Sequence, residues 1–510
     1  MSLSVNVILA VCLATVLKSS FVFLYRSTDF EVHRNWLAIT HSLPFSRWYF
    51  EDTSPWTLDY PPFFACFEWA LSQVASVVDP QMLVLENLEY ASPGTIIFQR
   101  ATVLFGDLLL VAGVCRAASA CAPKASLAAP VALVLFNPAL MMVDHIHFQY
   151  NGMMLGILLL SAGDIATGRA YRGSMLFCIL LNMKQIFLYV APVYFVYLLR
   201  DHCGFFVERK FPFVQLRIRK LVCLGAVVIA TFAAAWTPLL LTGQVMQTVS
   251  RLFPFGRGLT HAYWAPNVWA LYNTADRGLA KFGFGAQNGH SSTGGFAEVY
   301  ESSVLWTIPP KATLALVVAG YLPLLVLIWR RTSPRSRTEN GNTEFLAVST
   351  QPRDFVFYVA LGNAVAFSLG WHVHEKAILM VTVPLLACVS RLQEISGALD
   401  ALSVLSLVAT FSVLPLLPQS TVERSVKWML FVVGHIMELR LLHHRRNIDF
   451  RLICMVFVAM VFLGWYHDFG GHAKVFGERM EFLPLLLISD FCAVFVLASF
   501  VRMHVLVARK

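Results

Sequence analysis

The sequence predicts an all-α polytopic membrane protein. Apolar runs near the length of a bilayer crossing, ~20 residues, recur from one end of the 510-residue chain to the other. Only 14% of residues are charged and 57% are hydrophobic, where a soluble domain carries about 25% charge. Basic residues gather in short loops between the apolar runs, the pattern that sets topology. The net charge of +9 therefore reports orientation in a bilayer, and no nucleic-acid partner is expected.

The candidate spans lie near residues 5–25, 97–118, 125–142, 151–167, 173–199, 221–241, 311–330, 354–370, 376–391, 396–417, 426–441, 450–466 and 483–507. The first run contains Lys18 and lacks a small-residue cleavage pattern after it, so it is read as an uncleaved helix. Residues 26–96 form a long polar loop rich in aromatics and proline. Its Phe63–Val78 part is apolar apart from Glu68 and is expected to lie as a surface helix. Residues 242–310 make a second large loop, and the polar stretch 331–353 reads as flexible and cytosolic.

Three basic loops set the orientation: Arg209 to Lys220, Arg330 to Arg337, and His443 to Arg446. All three belong in the cytosol. Simple alternation then fails unless 173–199 is split into two short helices, Met175–Leu188 and Val190–Leu199, that meet around Lys184-Gln185 and Ala191-Pro192. With the split there are about 14 helices in one integral-membrane domain, residues 1–510, with both termini cytosolic. Lys184, the loops 26–96 and 242–310, and each polar cluster described next then fall on the opposite face.

Those clusters are Thr28 to Trp36, Trp56 to Pro62, Asp144 to Asn151, and Trp371 to Lys376. Charges at the rim of a membrane bundle are costly to hold and point to chemistry. Asp29 and Glu31 stand beside His33 and Arg34. A carboxylate near cations stays ionised and can accept a proton, but Asp29 can equally cap a surface helix. Asp59 precedes Tyr60-Pro61-Pro62, a stiff turn that either presents a carboxylate or is only a turn. Asp144, His145 and His147 lack a further ligand at metal spacing, so a sugar or phosphate contact or simple solvation fits better. His372, His374 and Lys376 suit an anion, and an interfacial anchor is the alternative. His261 to Trp269 offers rings and amides, suited to sugar faces or to an aromatic belt.

Ten scattered cysteines form no CxxC pair or zinc spacing. No Walker A, dinucleotide glycine pattern or Gly-x-Ser-x-Gly elbow is present. A group donor must therefore be reached at the membrane. A transporter would show inverted repeats and charges near the midplane, whereas only isolated charges such as Asp107 lie inside a span here.

The segments Thr28 to Trp36, Trp48-Tyr49-Phe50, Leu58 to Phe64, His147 to Gly152 and His372 to Lys376 together resemble the endoplasmic-reticulum α-1,3-glucosyltransferases that use dolichyl phosphate glucose. Asp-Phe-Glu-Val-His-Arg-Asn-Trp at 29–36 and Pro-Pro-Phe-Phe at 61–64 resemble the member that adds the second glucose. The member that adds the first carries Asp-Tyr-Glu-Ala-Gln-Arg-His-Trp and a Leu after the paired prolines, and it remains the alternative. The resemblance implies a C-type glycosyltransferase fold (GT-C), a luminal site in the endoplasmic-reticulum membrane, and no metal or other cofactor. The implied substrates are dolichyl phosphate glucose and the dolichyl-pyrophosphate-linked oligosaccharide Glc1Man9GlcNAc2. It implies Asp29 as catalytic base, with Glu31, Asp59, Tyr60, Asp144, His147 and Gln149 supporting the site or binding sugar. His372, His374, Lys376 and, more weakly, Arg34 would hold the donor phosphate.

Overall fold

The computed structural model describes residues 4–207, 214–253, 258–261, 265–284, 302–332, 335–339, 342–346, 352–443 and 450–509. Parts of the basic loops, residues 262–264 within the His261–Trp269 stretch, and most of 331–353 lie outside them or have no described side chains. The regular structure of the described residues is helical apart from two small antiparallel hairpins, Phe206–Val207 with Val214–Gln215 and Arg335–Glu339 with Asn342–Leu346, and one isolated bridge between Thr260 and Val373.

Every candidate span meets a helix. Six described helices are long and apolar enough to cross a bilayer: Pro93–Cys121, Ile218–Leu241, Pro310–Arg331, Ala398–Leu416, Phe450–Asp468 and Leu483–Ala508. A seventh is the pair Ala128–Leu135 and Pro138–Phe148, bent by 42°. Several other apolar helices are shorter, among them Val5–Ser19, Asn151–Ala166, Ala170–Leu181 and Phe355–Leu369. Length and composition thus support a multi-pass membrane protein, and the count of about 14 complete spans is not reached by these criteria. The expected break in 173–199 is present. Ala170–Leu181 ends before Lys184, a 3-10 turn covers Gln185–Val190, and Ala191–Asp201 resumes the helix with Pro192 in its first turn, where a missing N–H costs nothing.

Contacts divide the chain into two compact units. The first holds the N-terminal 135 residues, 144–254 and 325–359. Its frame is the pairing of Pro93–Cys121 with Asn151–Ala166. A side chain at Gly113 would run into the backbone of Gly156, and one at Gly156 would meet Leu109 backbone at 2.5 Å. Small residues let two helix backbones approach where lipid offers no hydrophobic drive between helices. Lys18, fully buried, ion-pairs with Asp107 at 2.8 Å, and His145 Nε2 lies 3.3 Å from the same carboxylate. Asp107 is therefore not an isolated charge, because the first helix supplies its counter-ion.

Within the long first loop, Thr28–Ser42 and Pro62–Val78 pack as paired helices. Glu68, the one charge on the apolar Pro62–Val78 helix, turns inward and bonds His33 Nδ1 at 2.7 Å. His33 sits edge-on to Trp36, Phe64, Phe148 and Tyr150. The loop is thus a packed subdomain with an aromatic core.

The second unit holds 136–143, 255–324 and 360–510. Ala398–Val413 is buried along almost its whole length and packs on Leu483–Ala508, Leu379–Ala387 and Thr421–Leu442. Lys427, fully buried, bonds Asp468 at 2.9 Å, and Trp428 Nε1 donates to the other oxygen at 2.8 Å. That pairing locks the start of Thr421–Leu442 to the end of Phe450–Asp468.

Candidate active site

The first unit gathers its polar residues around Asp29. Ser27, not Asp29, caps the Thr28–Ser42 helix: its Oγ accepts from the Asp29 N–H at 3.2 Å. The same hydroxyl donates to the His147 carbonyl. Relieved of capping, the Asp29 carboxylate accepts from Gln149 Nε2 at 2.7 Å and lies 3.1 Å from His147 Nε2.

The segment that carries His147 and Gln149 is held unusually. Residues Met141–Phe148 wind as a π-helix, a form concentrated at functional sites. Phe148 has φ of 87°, a genuine outlier for a bulky side chain. Arg100 stabilises this turn. It donates to the carbonyls of His145, Ile146 and Tyr25 at 2.8–2.9 Å, and its guanidinium lies 5.6 Å from the Phe148 ring centroid. The strained residue is flanked by the two side chains that touch Asp29.

Asp144 is buried. It accepts from Asn151 Nδ2 at 2.9 Å and from the Gly152 N–H at 2.6 Å, so it satisfies an N–H in the first turn of the Asn151–Ala166 helix. Asn151 connects it to the site, donating also to Gln149 Oε1 at 2.9 Å. Lys184 Nζ donates to Asn151 Oδ1 at 3.3 Å and stands 5.2 Å from the Tyr60 ring centroid. The charges acting on it are those of Asp144, Asp29 and Asp59. Gln185 Nε2 bonds the Asp59 carbonyl at 3.3 Å, which ties the Tyr60-Pro61-Pro62 turn to the same place. Sequence reasoning gave Lys184 no role, although a lysine at a break in an apolar stretch is itself a functional signal.

Glu31 and Arg34 are placed differently from expectation. Arg34 is fully buried and forms a bidentate pair with Glu31, 2.7 Å at both contacts. It also donates to the carbonyls of Met82 and Val84. Arg34 is thus a clamp inside the loop subdomain; with these partners and no exposure it does not face a phosphate.

The second unit builds its own cluster. Trp269 Nε1 and Asn267 Nδ2 donate to the carbonyls of Gly370 and Phe367 at 2.9 Å. Thr260 bridges Val373 in parallel, and the His372 N–H bonds the Leu259 carbonyl at 2.9 Å. His372 has φ of 49° and its Nδ1 lies 2.8 Å from the Gly258 carbonyl. These contacts bring His261 beside His374, with ring centroids 3.6 Å apart, and within 3.7 Å of the Glu375 carboxylate. Burial would raise the pKa of Glu375, but His261 and then Lys376 outweigh it and hold the carboxyl below its usual range. The ligand atoms of His261, His374 and Glu375 all lie within 4.8 Å of one another, close enough to hold an ion. In the sequence His261 reads only as part of an aromatic stretch.

Six described helices long and apolar enough to cross a bilayer mark a multi-pass membrane protein, and its first unit gathers a carboxylate, an amide, an imidazole and a lysine at one place. A family model described as the ALG6, ALG8 glycosyltransferase family matches residues 14–503, and the chain belongs to that family. A probable dolichyl pyrophosphate Glc1Man9GlcNAc2 α-1,3-glucosyltransferase of Drosophila melanogaster is 42% identical, covering 96% of this chain and 92% of that one. Enzymes of that name from Arabidopsis thaliana and Bos taurus are 41% and 38% identical, again over 96% of this chain.

Proposed function

We propose that this glycosyltransferase moves glucose from dolichyl phosphate glucose to Glc1Man9GlcNAc2-PP-dolichol, forming an α-1,3 linkage with inversion. In this reading the reaction takes place on the luminal face of the endoplasmic-reticulum membrane, within a C-type glycosyltransferase fold and with both termini cytosolic. The names of relatives alike over nearly the whole chain support the acceptor. The observation that carries the chemistry is Asp29, freed from helix capping and aimed by Gln149 and His147.

Inversion proceeds by one in-line attack of the acceptor hydroxyl on the anomeric carbon. Asp29 takes the hydroxyl proton as the new glycosidic bond forms, a step that requires an approach of ~3 Å. The bond from the anomeric carbon to the phosphate oxygen breaks, and dolichyl phosphate leaves with the electron pair. A phosphate departs as a stable anion, so no carboxylic acid is needed to protonate it. His372, His374 and Lys376 are assigned to the growing phosphate charge. The two prenyl chains remain in the bilayer, and the scheme needs no metal.

The test uses purified protein, synthetic dolichyl phosphate glucose and acceptors bearing no glucose or one. Product from the monoglucosylated acceptor supports this reading. Product from the unglucosylated acceptor alone would assign the chain to the first-glucose step. The Asp29→Asn variant should fold normally and lose at least ~10²-fold in rate; near-normal turnover would reject Asp29 as the base.

A further inference from the structure

We propose that Lys184, acting through Asn151 and Gln149, is the positioning cation that keeps Asp29 a ready proton acceptor. The inference rests on the reading of Asp29 as base and assigns the residue that sets it.

The geometry is a directed chain of hydrogen bonds. Lys184 Nζ donates to Asn151 Oδ1 at 3.3 Å, Asn151 Nδ2 donates to Gln149 Oε1 at 2.9 Å, and Gln149 Nε2 donates to Asp29 Oδ2 at 2.7 Å. Each amide accepts from the ammonium side and donates towards the carboxylate. Aligned hydrogen bonds polarise one another in a low-dielectric setting. A fixed positive charge at one end therefore favours a negative charge at the other. The chain also resists inversion. Asn151 Nδ2 is fixed by Asp144 as well, which keeps Oδ1 towards the lysine.

The surroundings fit a tuning role better than a phosphate contact. Lys184 faces Asp29 from the Thr28–Ser42 helix, Asp59 and Tyr60 from the proline turn, and Asp144 from the start of the Asn151–Ala166 helix. Asp107 and His145 lie behind Asp144, His147 touches Asp29 directly, and Arg251 faces Asp59. The charges that act on Lys184 are the carboxylates of Asp144, Asp29 and Asp59, so a phosphate there would be repelled by all three. A lysine among carboxylates instead lowers the cost of leaving Asp29 unprotonated.

The test is the pH dependence of kcat/KM for glucose transfer by the full-length protein in detergent. Lys184→Met should move the acid limb upward by at least about 0.5 unit. The deficit should be large at low pH and close as pH rises, while Lys184→Arg keeps the limb in place. Repeating the pair in a His147→Gln background should give the same displacement, which assigns the limb to Asp29. Lys184→Gln, which keeps a donor to Asn151, gives the same readout if the Met variant does not fold. A loss equal at every pH, an unmoved limb, or a displacement that vanishes without His147 would overturn the proposal. Near-normal turnover by Asp29→Asn would instead remove the reading beneath it, so the two failures are distinct.

Discussion

Gln149 Nε2 and Asp29 Oδ2 are joined by a 2.7 Å hydrogen bond across 120 residues of sequence. The bond holds one oxygen of Asp29 in a fixed direction. Gln149 follows directly on Phe148, whose φ of 87° is held by Arg100. The side chain that bonds Asp29 is thus carried on a strained turn.

Gln149→Leu tests that bond. A hydrogen bond to a charged group contributes roughly 1.5–3 kcal/mol, so kcat should fall by about 10- to 100-fold. Apparent KM for both lipids should change less. Steady-state kinetics on the purified variant measures the split, and a rise in KM with unchanged kcat would count against an aiming role.

The proposed phosphate role of His372, His374 and Lys376 gives a second expectation. Lys376→Met should raise apparent KM for dolichyl phosphate glucose by roughly 10-fold, the scale of one charge-assisted contact, and leave acceptor KM within a factor of about two. Equal effects on both substrates would argue for a structural anchor instead.

The same cluster bears on metal dependence. His261, His374 and Glu375 have ion-binding spacing, but His372 and Lys376 beside them suit an anion. Extensive dialysis against EDTA should leave the transfer rate unchanged. A loss restored by one divalent ion, and abolished by His261→Ala, would replace the phosphate reading with a metal site.

Helix positions were legible in the sequence because apolar runs report burial in lipid directly, and the break near Lys184 followed from charge parity alone. The number of complete spans was not legible, since short apolar helices can be sheltered by neighbours. Site geometry was harder. Periodicity could not decide between Asp29 as cap and Asp29 as base, because Ser27 is an equally good cap. Arg34 and Glu31 looked available beside Asp29, yet three residues apart on a helix they face each other and close on Met82 and Val84. Asp144 looked like a loop carboxylate, but it satisfies an N–H in the first turn of a helix whose start lies beyond the π-turn. Lys184 went unassigned because its partners, Asn151 and Tyr60, come from distant segments.

Close helix packing in the first unit makes a stability prediction. An added methyl at Gly113 would collide with the Gly156 backbone, which cannot yield as a side chain can. Gly113→Ala should cost roughly 1–3 kcal/mol and lower the thermal midpoint in detergent. Gly225→Ala, where a Cβ meets nothing within 4 Å, should not lower it. Equal midpoints for the two variants would mean that the Pro93–Cys121 and Asn151–Ala166 helices can separate without loss.

The buried pair of the loop subdomain predicts a pH-dependent stability. Glu68 is fully buried, its Oε1 bonds His33 and its Oε2 has no hydrogen-bond partner. Burial raises its pKa above the ordinary 4.5, against the opposing pull of His33. A raised folded-state pKa means that the folded chain holds this proton more tightly than the unfolded one. Stability from the proton is therefore complete below about pH 4.5 and is lost as pH climbs through the raised value. Glu68→Gln stays neutral throughout and keeps a donor for His33 Nδ1. The stability of the variant relative to wild type should thus move in the variant's favour as pH increases from 4.5. Thermal unfolding of both proteins by tryptophan fluorescence at a series of pH values measures that trend. Parallel curves would show that Glu68 titrates as it would in water and that the aromatic box does not exclude its charge.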